Sequence, residues 1–353
     1  MRSSSLAIAL TSIFVTVMAA FPNRIDTHVH IIPPAYKAAI EKYGDPSGWI
    51  LPSWNVSGAI DAADSLGVRV QVVSVTAPGP GIAGTGEEGR QLARACNDEV
   101  AAIAHEKPGR FAFFGSLPDW NDVNGTLAEI DYVLGTLKAP GIIAMTTYGD
   151  TLLGDAKFKP IWAKLDSYAA IVFVHPGAVS ISPKLIAGTL PQPIVDYPQA
   201  TTRTAVDLIL TRTFTADSKF KVILSHAGGT TPWLADRISV GSMAAGANLM
   251  PPADVLATLK LFYFDVALST TATSLYGLLQ ITTPDKILYG SDFPYAMLSE
   301  GQRQTARLDE NLKMGEFKKL SCLNNKNAET LFGGVDSMLT KMGINATKGK
   351  GKL

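Results

Sequence analysis

Four of the five histidines in this chain, and one aspartate, stand where short apolar runs come to an end. His28 and His30 close the run Ile25-Asp26-Thr27-His28-Val29-His30. In an extended strand, residues two apart share a face, so both imidazoles point the same way and make a pincer for a borderline cation such as zinc. His175 follows Ile171-Val172-Phe173-Val174, His226 follows Val222-Ile223-Leu224-Ser225, and Asp292 follows Ile287-Leu288-Tyr289-Gly290-Ser291. Any one of these alone reads as a satisfied core histidine or a helix-capping aspartate. Five polar groups arriving together at the rim of one fold are much harder to obtain by accident. The remaining histidine, His105, sits near the end of a helical stretch before Pro108 and reads as surface decoration.

Such groups meet only if the fold brings strand ends together. Eight apolar runs are available: Arg24–Ile32, Val68–Val75, Phe111–Leu117, Gly141–Thr147, Ala169–His175, Lys221–His226, Leu261–Leu268 and Lys286–Asp292. Most are continuous and rich in Val, Ile and Phe, the pattern of parallel strands covered on both faces. Between them the spacing predicts helices over Ser57–Leu66, Gly86–Lys107, Thr126–Leu137, Phe158–Tyr168, Thr201–Leu210, Thr231–Val240 and Pro252–Leu259. In the second of these, Leu92, Ala95, Val100 and Ile103 share a side. Alternation repeated eight times predicts an α/β fold of the closed (β/α)8 TIM-barrel kind, with every strand C-terminus on one face. Two Gly/Pro-rich loops, Ala77–Gly89 and Pro176–Tyr197, are long enough to act as lids there.

Composition bounds the rest. The chain has 353 residues, 46% of them hydrophobic, which fits one large barrel at residues 21–334. Charged residues make up 18% and the formal net charge is zero, so no basic stripe suggests a nucleic-acid partner. Residues 1–20 read as a signal peptide or hydrophobic leader: Arg2, an apolar run from Leu6 to Ala20, and the small-residue pattern Val17-Met18-Ala19. That reading sends the mature chain into the secretory pathway, and its failure leaves the chain cytosolic. The run is shorter than the ~20 residues a span needs, so no stable membrane segment is expected in the mature protein. Sequons at Asn55, Asn124 and Asn345 add only weak support for secretion. The two cysteines, Cys96 and Cys322, read as free buried thiols, and the Lys- and Gly-rich residues 335–353 as a flexible tail.

The set His28-x-His30, His175, His226-x-Gly-Gly and Ser291-Asp292-Phe293-Pro294 resembles the amidohydrolase superfamily. More narrowly it is similar to the branch with aminocarboxymuconate-semialdehyde decarboxylase and the salicylate-type decarboxylases. The opening Asp-x-His-x-His-x-Ile-Pro-Pro and the Asp-Phe-Pro-Tyr ending resemble the fungal 6-methylsalicylate decarboxylases. The likeness covers about Arg24 to Gly333. It implies metal ligation by His28, His30, His175 and Asp292, acid/base work by His226 and Asp292, and one divalent ion, Zn2+ first with Mn2+ as the other fit. Two-metal members usually end strand four with a bridging lysine. Here the strand reads Ile142-Ile143-Ala144-Met145-Thr146-Thr147, which implies a single ion.

A salicylate-type acid offers a phenolic oxygen and a carboxylate to such an ion, and its decarboxylation needs a proton at the ring carbon that bears the carboxylate. Either His226 or Asp292 could deliver it. An apolar wall suits the ring, and Phe293 is the first candidate, followed by Trp49, Trp54 and Trp233. Arg237, eleven residues after His226, occupies the position where relatives send a basic residue to the neighbouring subunit's substrate carboxylate, which implies a homodimer. A helix arginine in an ordinary salt bridge is the plainer reading. The resemblance implies decarboxylation of 6-methylsalicylate to 3-methylphenol within fungal polyketide secondary metabolism. The alternatives are a mononuclear hydrolase of a lactone, amide or ester, and a non-catalytic metal-stabilised binding protein.

Overall fold

The structure, a computed structural model, describes residues 23–244 and 249–345. The proposed leader at residues 1–20 lies outside the described residues. The main strands are β1 (Arg24–His30), β2 (Val68–Ser74), β3 (Phe111–Phe113), β4 (Gly141–Met145), β5 (Ile171–His175), β6 (Lys221–Leu224), β7 (Tyr263–Asp265) and β8 (Ile287–Leu288). Every residue of β1, β3, β4, β5, β7 and β8 is buried, which is why β3, β4 and β8 and most of β5 are continuously apolar rather than alternating, while β1 and the end of β7 bury polar side chains.

All pairings between consecutive strands are parallel. Gly115, just past β3, bridges in parallel to Ile142 of β4 and joins the two stretches of sheet. The ring then closes between β8 and β1. Thr27 N–H donates to Tyr289 O at 3.0 Å, and Asp292 N–H to His28 O at 2.8 Å. Hydrogen bonds therefore run from strand to strand around a barrel, as the eightfold alternation predicts.

Helices follow the strands: α1 (Pro34–Tyr43), α2 (Val56–Ser65), α3 (Glu87–Glu106), α4 (Val123–Ile130), α5 (Lys159–Ser167), α6 (Asp196–Leu210), α7 (Thr231–Gly241), α8 (Pro252–Leu259), α9 (Ala272–Ile281), α10 (Leu298–Asn311), α11 (Lys326–Phe332) and α12 (Val335–Lys341). Their starts carry local signals. Asn55, Asp122 and Thr271 accept side-chain hydrogen bonds from the backbone N–H groups of Gly58, Gly125 and Ser274, which satisfies otherwise orphaned first-turn donors. Asn55 thus has a capping role that needs no glycan. Helix α10 is not among the expected helices because its composition is mostly polar, yet Gly301, Thr305 and Leu308 form a buried stripe at helical spacing. The stretch expected to be one helix over Thr126–Leu137 is α4 followed by a π-helical turn at Asp131–Thr136.

The closed end of β1 is pinned by Arg24, almost fully buried. Its guanidinium donates to Leu66 O at 2.7 Å and Asn324 Oδ1 at 2.9 Å and pairs with Asp309, the partners a buried cation requires. The expected fraying from Val335 is corrected over the first ten residues of that tail. Helix α12 buries Val335, Met338 and Leu339, and Ile344 is buried beyond it, because these apolar side chains have a core to pack on. Residues 346–353 lie outside the described residues. Cys96 and Cys322 are both free, the first buried and the second only half-buried. Among the described residues no helix is long and apolar enough to cross a membrane.

Candidate metal centre

His28 and His30 lie on β1, and His175 is the last residue of β5. Two expected strand ends are shorter than the sequence suggests. Strand β6 stops at Leu224 and β8 at Leu288, so His226 and Asp292 stand in the turns that follow. Both adopt left-handed backbone, with φ of 53° and 61°. Such a conformation costs a non-glycine residue about 1 kcal/mol or more and is held only where the surroundings over-determine it. Here the hydrogen bonds are in place. Asp292 N–H donates to His28 O, and Ala296 N–H donates to Asp292 O at 2.7 Å. The sharp turns lift both side chains over the barrel mouth, which a continued strand would not do.

The result is a compact polar cluster. One ligand atom each from His28, His30, His175 and Asp292 lies within 4.8 Å of the others, and all four residues are buried. Bonds of ~2.1 Å to a shared ion space its ligands by roughly 3.4–4.2 Å, so side-chain shifts of about half an ångström bring the cluster onto one cation. His30 Nε2 stands 3.1 Å and His28 Nε2 3.4 Å from Asp292 Oδ1. Among the described residues neither Nε2 has a hydrogen-bond partner, although both are buried. Buried polar atoms left without partners are costly, and a shared cation satisfies them at once.

The other ring nitrogens explain why Nε2 is the free one. Nδ1 of His28 faces Asp265 Oδ2 at 2.9 Å, and Nδ1 of His30 faces Ser74 O at 3.3 Å. Nδ1 of His175 faces Pro176 O at 2.8 Å, and Nδ1 of His226 faces Ala267 O at 3.2 Å. Each of these oxygens can only accept, so each Nδ1 carries a proton and each Nε2 is the nitrogen turned inward.

Electrostatics match this division. Burial opposes protonation of His28, yet the Asp265 and Asp292 carboxylates hold its pKa up to about 10. Burial pushes Asp292 upward, but the imidazoles of His28 and His30 hold it well below the usual carboxylate range. Burial keeps His30, His175 and His226 below the ordinary histidine value. The cluster thus offers two neutral imidazoles, His30 and His175, and an ionised carboxylate, with His28 as the imidazole whose proton a cation would replace.

His226 is only half-buried, more open than the four ligands, and its ring centroid is 4.7 Å from that of His28. Phe293 is half-buried, and its carbonyl accepts from His30 N–H at 2.7 Å. The other expected wall residues differ in exposure. Trp233 is 72% exposed on the outer side of α7, so it walls nothing in its own barrel. Trp49 and Trp54 are half-buried in the segment before α2, and neither ring stacks against a ligand. The aromatic groups that do line the centre are Tyr295, 5.5 Å from the His30 ring, and Phe173, 4.9 Å from the His28 ring. Sequence reasoning misses both, although Tyr295 lies in the Asp-Phe-Pro-Tyr stretch and Phe173 alternates with His175 on β5. Arg237 is exposed on α7 and forms no ion pair among the described residues, which corrects the plainer reading of a salt-bridged helix arginine.

Two further carboxylates escape the sequence pattern. Asp26 Oδ1 accepts from His28 N–H at 3.1 Å and Ser291 N–H at 3.2 Å, stitching β1 to the turn that carries Asp292. Asp265, the last residue of β7, sits between His28 and His226. An aspartate in or at the end of an apolar run is the available signal for both. A cavity of about 1000 Å3 opens beside the cluster. Pro78 and Ile82 from one expected lid, Val179 from the other, and Met145 line it. Met145 is the register partner of His175, which brings the cavity within one strand of the ligands.

Comparison with known proteins agrees with this architecture. Residues 25–333 match the amidohydrolase family. A 6-methylsalicylic acid decarboxylase of Penicillium expansum is 41% identical over 282 residues, 77% of this chain and 85% of that protein. The solved structure of an amidohydrolase II superposes with a TM-score of 0.79 at 26% identity, over 88% of this chain and 99% of the other. A dihydroxybenzoic acid decarboxylase from a Polaromonas species, solved with bound manganese and the inhibitor 2-nitroresorcinol, gives 0.72 at 18% identity, over 88% and 97%. Ring of strands, cluster of ligands and likeness along nearly the whole described barrel lead to one conclusion: the chain belongs to the amidohydrolase family.

Proposed function

We propose that the chain is a metal-dependent, non-oxidative decarboxylase of a hydroxybenzoic acid, and that its substrate is 6-methylsalicylate, released as 3-methylphenol and carbon dioxide. The observation that carries the reading is the convergence of His28, His30, His175 and Asp292 on one point with His226 beside them. The 41% identity to a 6-methylsalicylic acid decarboxylase supports the substrate.

A divalent cation held by those four side chains would supply a Lewis acid for the phenolic and carboxylate oxygens. Zn2+ suits three nitrogens and a carboxylate, and the manganese in a structural neighbour makes Mn2+ the second candidate. The protein's own groups do the rest. His226 holds its Nδ1 proton on Ala267 O, which leaves Nε2 to take up and pass a proton at the mouth. Asp292 stands next to it and can share that proton. The proton goes to the ring carbon bearing the carboxylate, the bond to that carboxylate breaks, and its electrons restore the aromatic ring. Phe293 and Tyr295 supply apolar surface for the ring and keep water from it. The missing lysine at the end of β4 supports a single ion. On the outside, Trp233, Arg237 and Val240 share an exposed stripe of α7, which supports a homodimer in which Arg237 serves the neighbouring centre.

The test is direct. Purified protein is incubated with a panel of hydroxybenzoic acids, lactones and esters, without oxygen or added organic cofactor. Carbon dioxide and 3-methylphenol from 6-methylsalicylate, abolished by a chelator and restored by Zn2+ or Mn2+, are the expected result. Ester or lactone cleavage with no carbon dioxide from any acid would overturn it in favour of a hydrolase.

A further inference from the structure

Asp265 is fully buried at the end of β7, and three donors converge on its carboxylate. Oδ2 takes His28 Nδ1–H at 2.9 Å, while Oδ1 takes the backbone N–H groups of His226 at 3.1 Å and Ala267 at 3.0 Å. One side chain therefore holds a metal ligand through one oxygen and the backbone of the proton carrier through the other. We propose that Asp265 is a positioning residue with two separable tasks: Oδ2 sets the tautomer and ring orientation of His28, and Oδ1 sets the turn that places His226. The inference rests on the metal-centre and decarboxylase readings above.

The first task follows from comparing the four rings. His30, His175 and His226 lean on backbone carbonyls, and only His28 leans on a carboxylate. A carboxylate partner makes the opposite nitrogen a stronger donor and forbids the tautomer that would carry a proton toward the ion. The second task follows from the backbone. His226 and Ala227 run consecutively through left-handed conformation, with φ of 53° and 58°. Neither is a glycine, so the turn persists only while its N–H has a fixed acceptor. Gly228 N–H to Ser225 O and Gly229 N–H to His226 O close the same turn, while Asp265 ties it to the neighbouring strand and to a ligand together.

The variant Asp265→Asn separates the tasks. Its amide oxygen in the place of Oδ1 still accepts both backbone donors. Its NH2 in the place of Oδ2 cannot accept from His28, and instead favours the tautomer with a proton on Nε2. Affinity for Zn2+ and Mn2+ alone, measured by competition with a chromogenic chelator, is expected to fall about 10–100-fold. Saturating metal is expected to recover most of the turnover that Asp265→Asn loses at limiting metal. Asp265→Ala, which removes both acceptors, is expected to lose turnover as well, even at saturating metal. Equal metal affinity in wild type and Asp265→Asn would overturn the first task. Turnover of Asp265→Asn that stays low after metal saturation would overturn the separation, whether or not Asp265→Ala folds. A wild-type chain that takes up neither ion would instead overturn the metal centre itself.

Discussion

Gly290 is the position where a single methyl group puts the whole arrangement at risk. It follows β8 and faces the β1–β7 contact across it. A Cβ placed there would lie 2.7 Å from His28 Cβ, 3.2 Å from Ala267 Cβ and 3.3 Å from Asp265 Cβ. Carbon atoms in contact prefer about 3.5–4.0 Å, so in Gly290→Ala the His28 backbone must retreat by roughly 1 Å. His28 cannot retreat freely, because Asp26 and Asp292 hold its backbone N–H and carbonyl and Asp265 holds its ring. Overpacking of this kind typically costs about 1–3 kcal/mol of stability. Displacing a ligand by that distance is expected to lower turnover by about 100-fold and to weaken metal binding. The control is Gly301→Ala inside α10, where the nearest atom to the added Cβ, Leu66 Cδ1, is 3.7 Å away. Thermal unfolding, chelator competition and carbon dioxide release are measured on both. Gly290→Ala with the metal affinity, melting temperature and turnover of wild type would refute the reasoning.

Two other perturbations give sharp outcomes. His226→Asn replaces the imidazole by a residue that tolerates the left-handed backbone at that position. Metal content is expected to be retained while turnover falls by about 100-fold or more; unchanged turnover would support a merely structural histidine. Burial raises the Asp207 carboxyl above its ordinary value, opposed by the Gly154 N–H that it accepts at 2.6 Å. The folded chain then binds more protons than the unfolded one between the two values, so this group's contribution falls as pH rises through that window. Asp207→Asn is expected to flatten the fall in melting temperature above about pH 4, and an unchanged pH profile would count against a buried, raised carboxyl.

Much of this molecule is legible in its sequence, for identifiable reasons. Strands buried on both faces tend to be continuously apolar, so β4 and β5 announce themselves. Period-two alternation alone puts His28 and His30 on one side of their strand. What the sequence hides is polar and contextual. Helix α10 buries a narrow stripe behind charged residues. Helix α12 looks like a tail until a core is there for Val335 and Leu339. Trp233 has the composition of a wall and the position of an outer surface.

The chain's residue order by itself determined which groups reach the strand ends, because side-chain alternation and apolar length are local properties. Only the closed barrel decided which of them meet. The backbone turns that lift His226 and Asp292 are held by bonds from other strands, and Asp265 acquires two of its three donors from the distant residues 28 and 226. Distance along the chain carries no information about such contacts. They exist because β7, β8 and β1 are neighbours in a ring that the sequence specifies only as a whole.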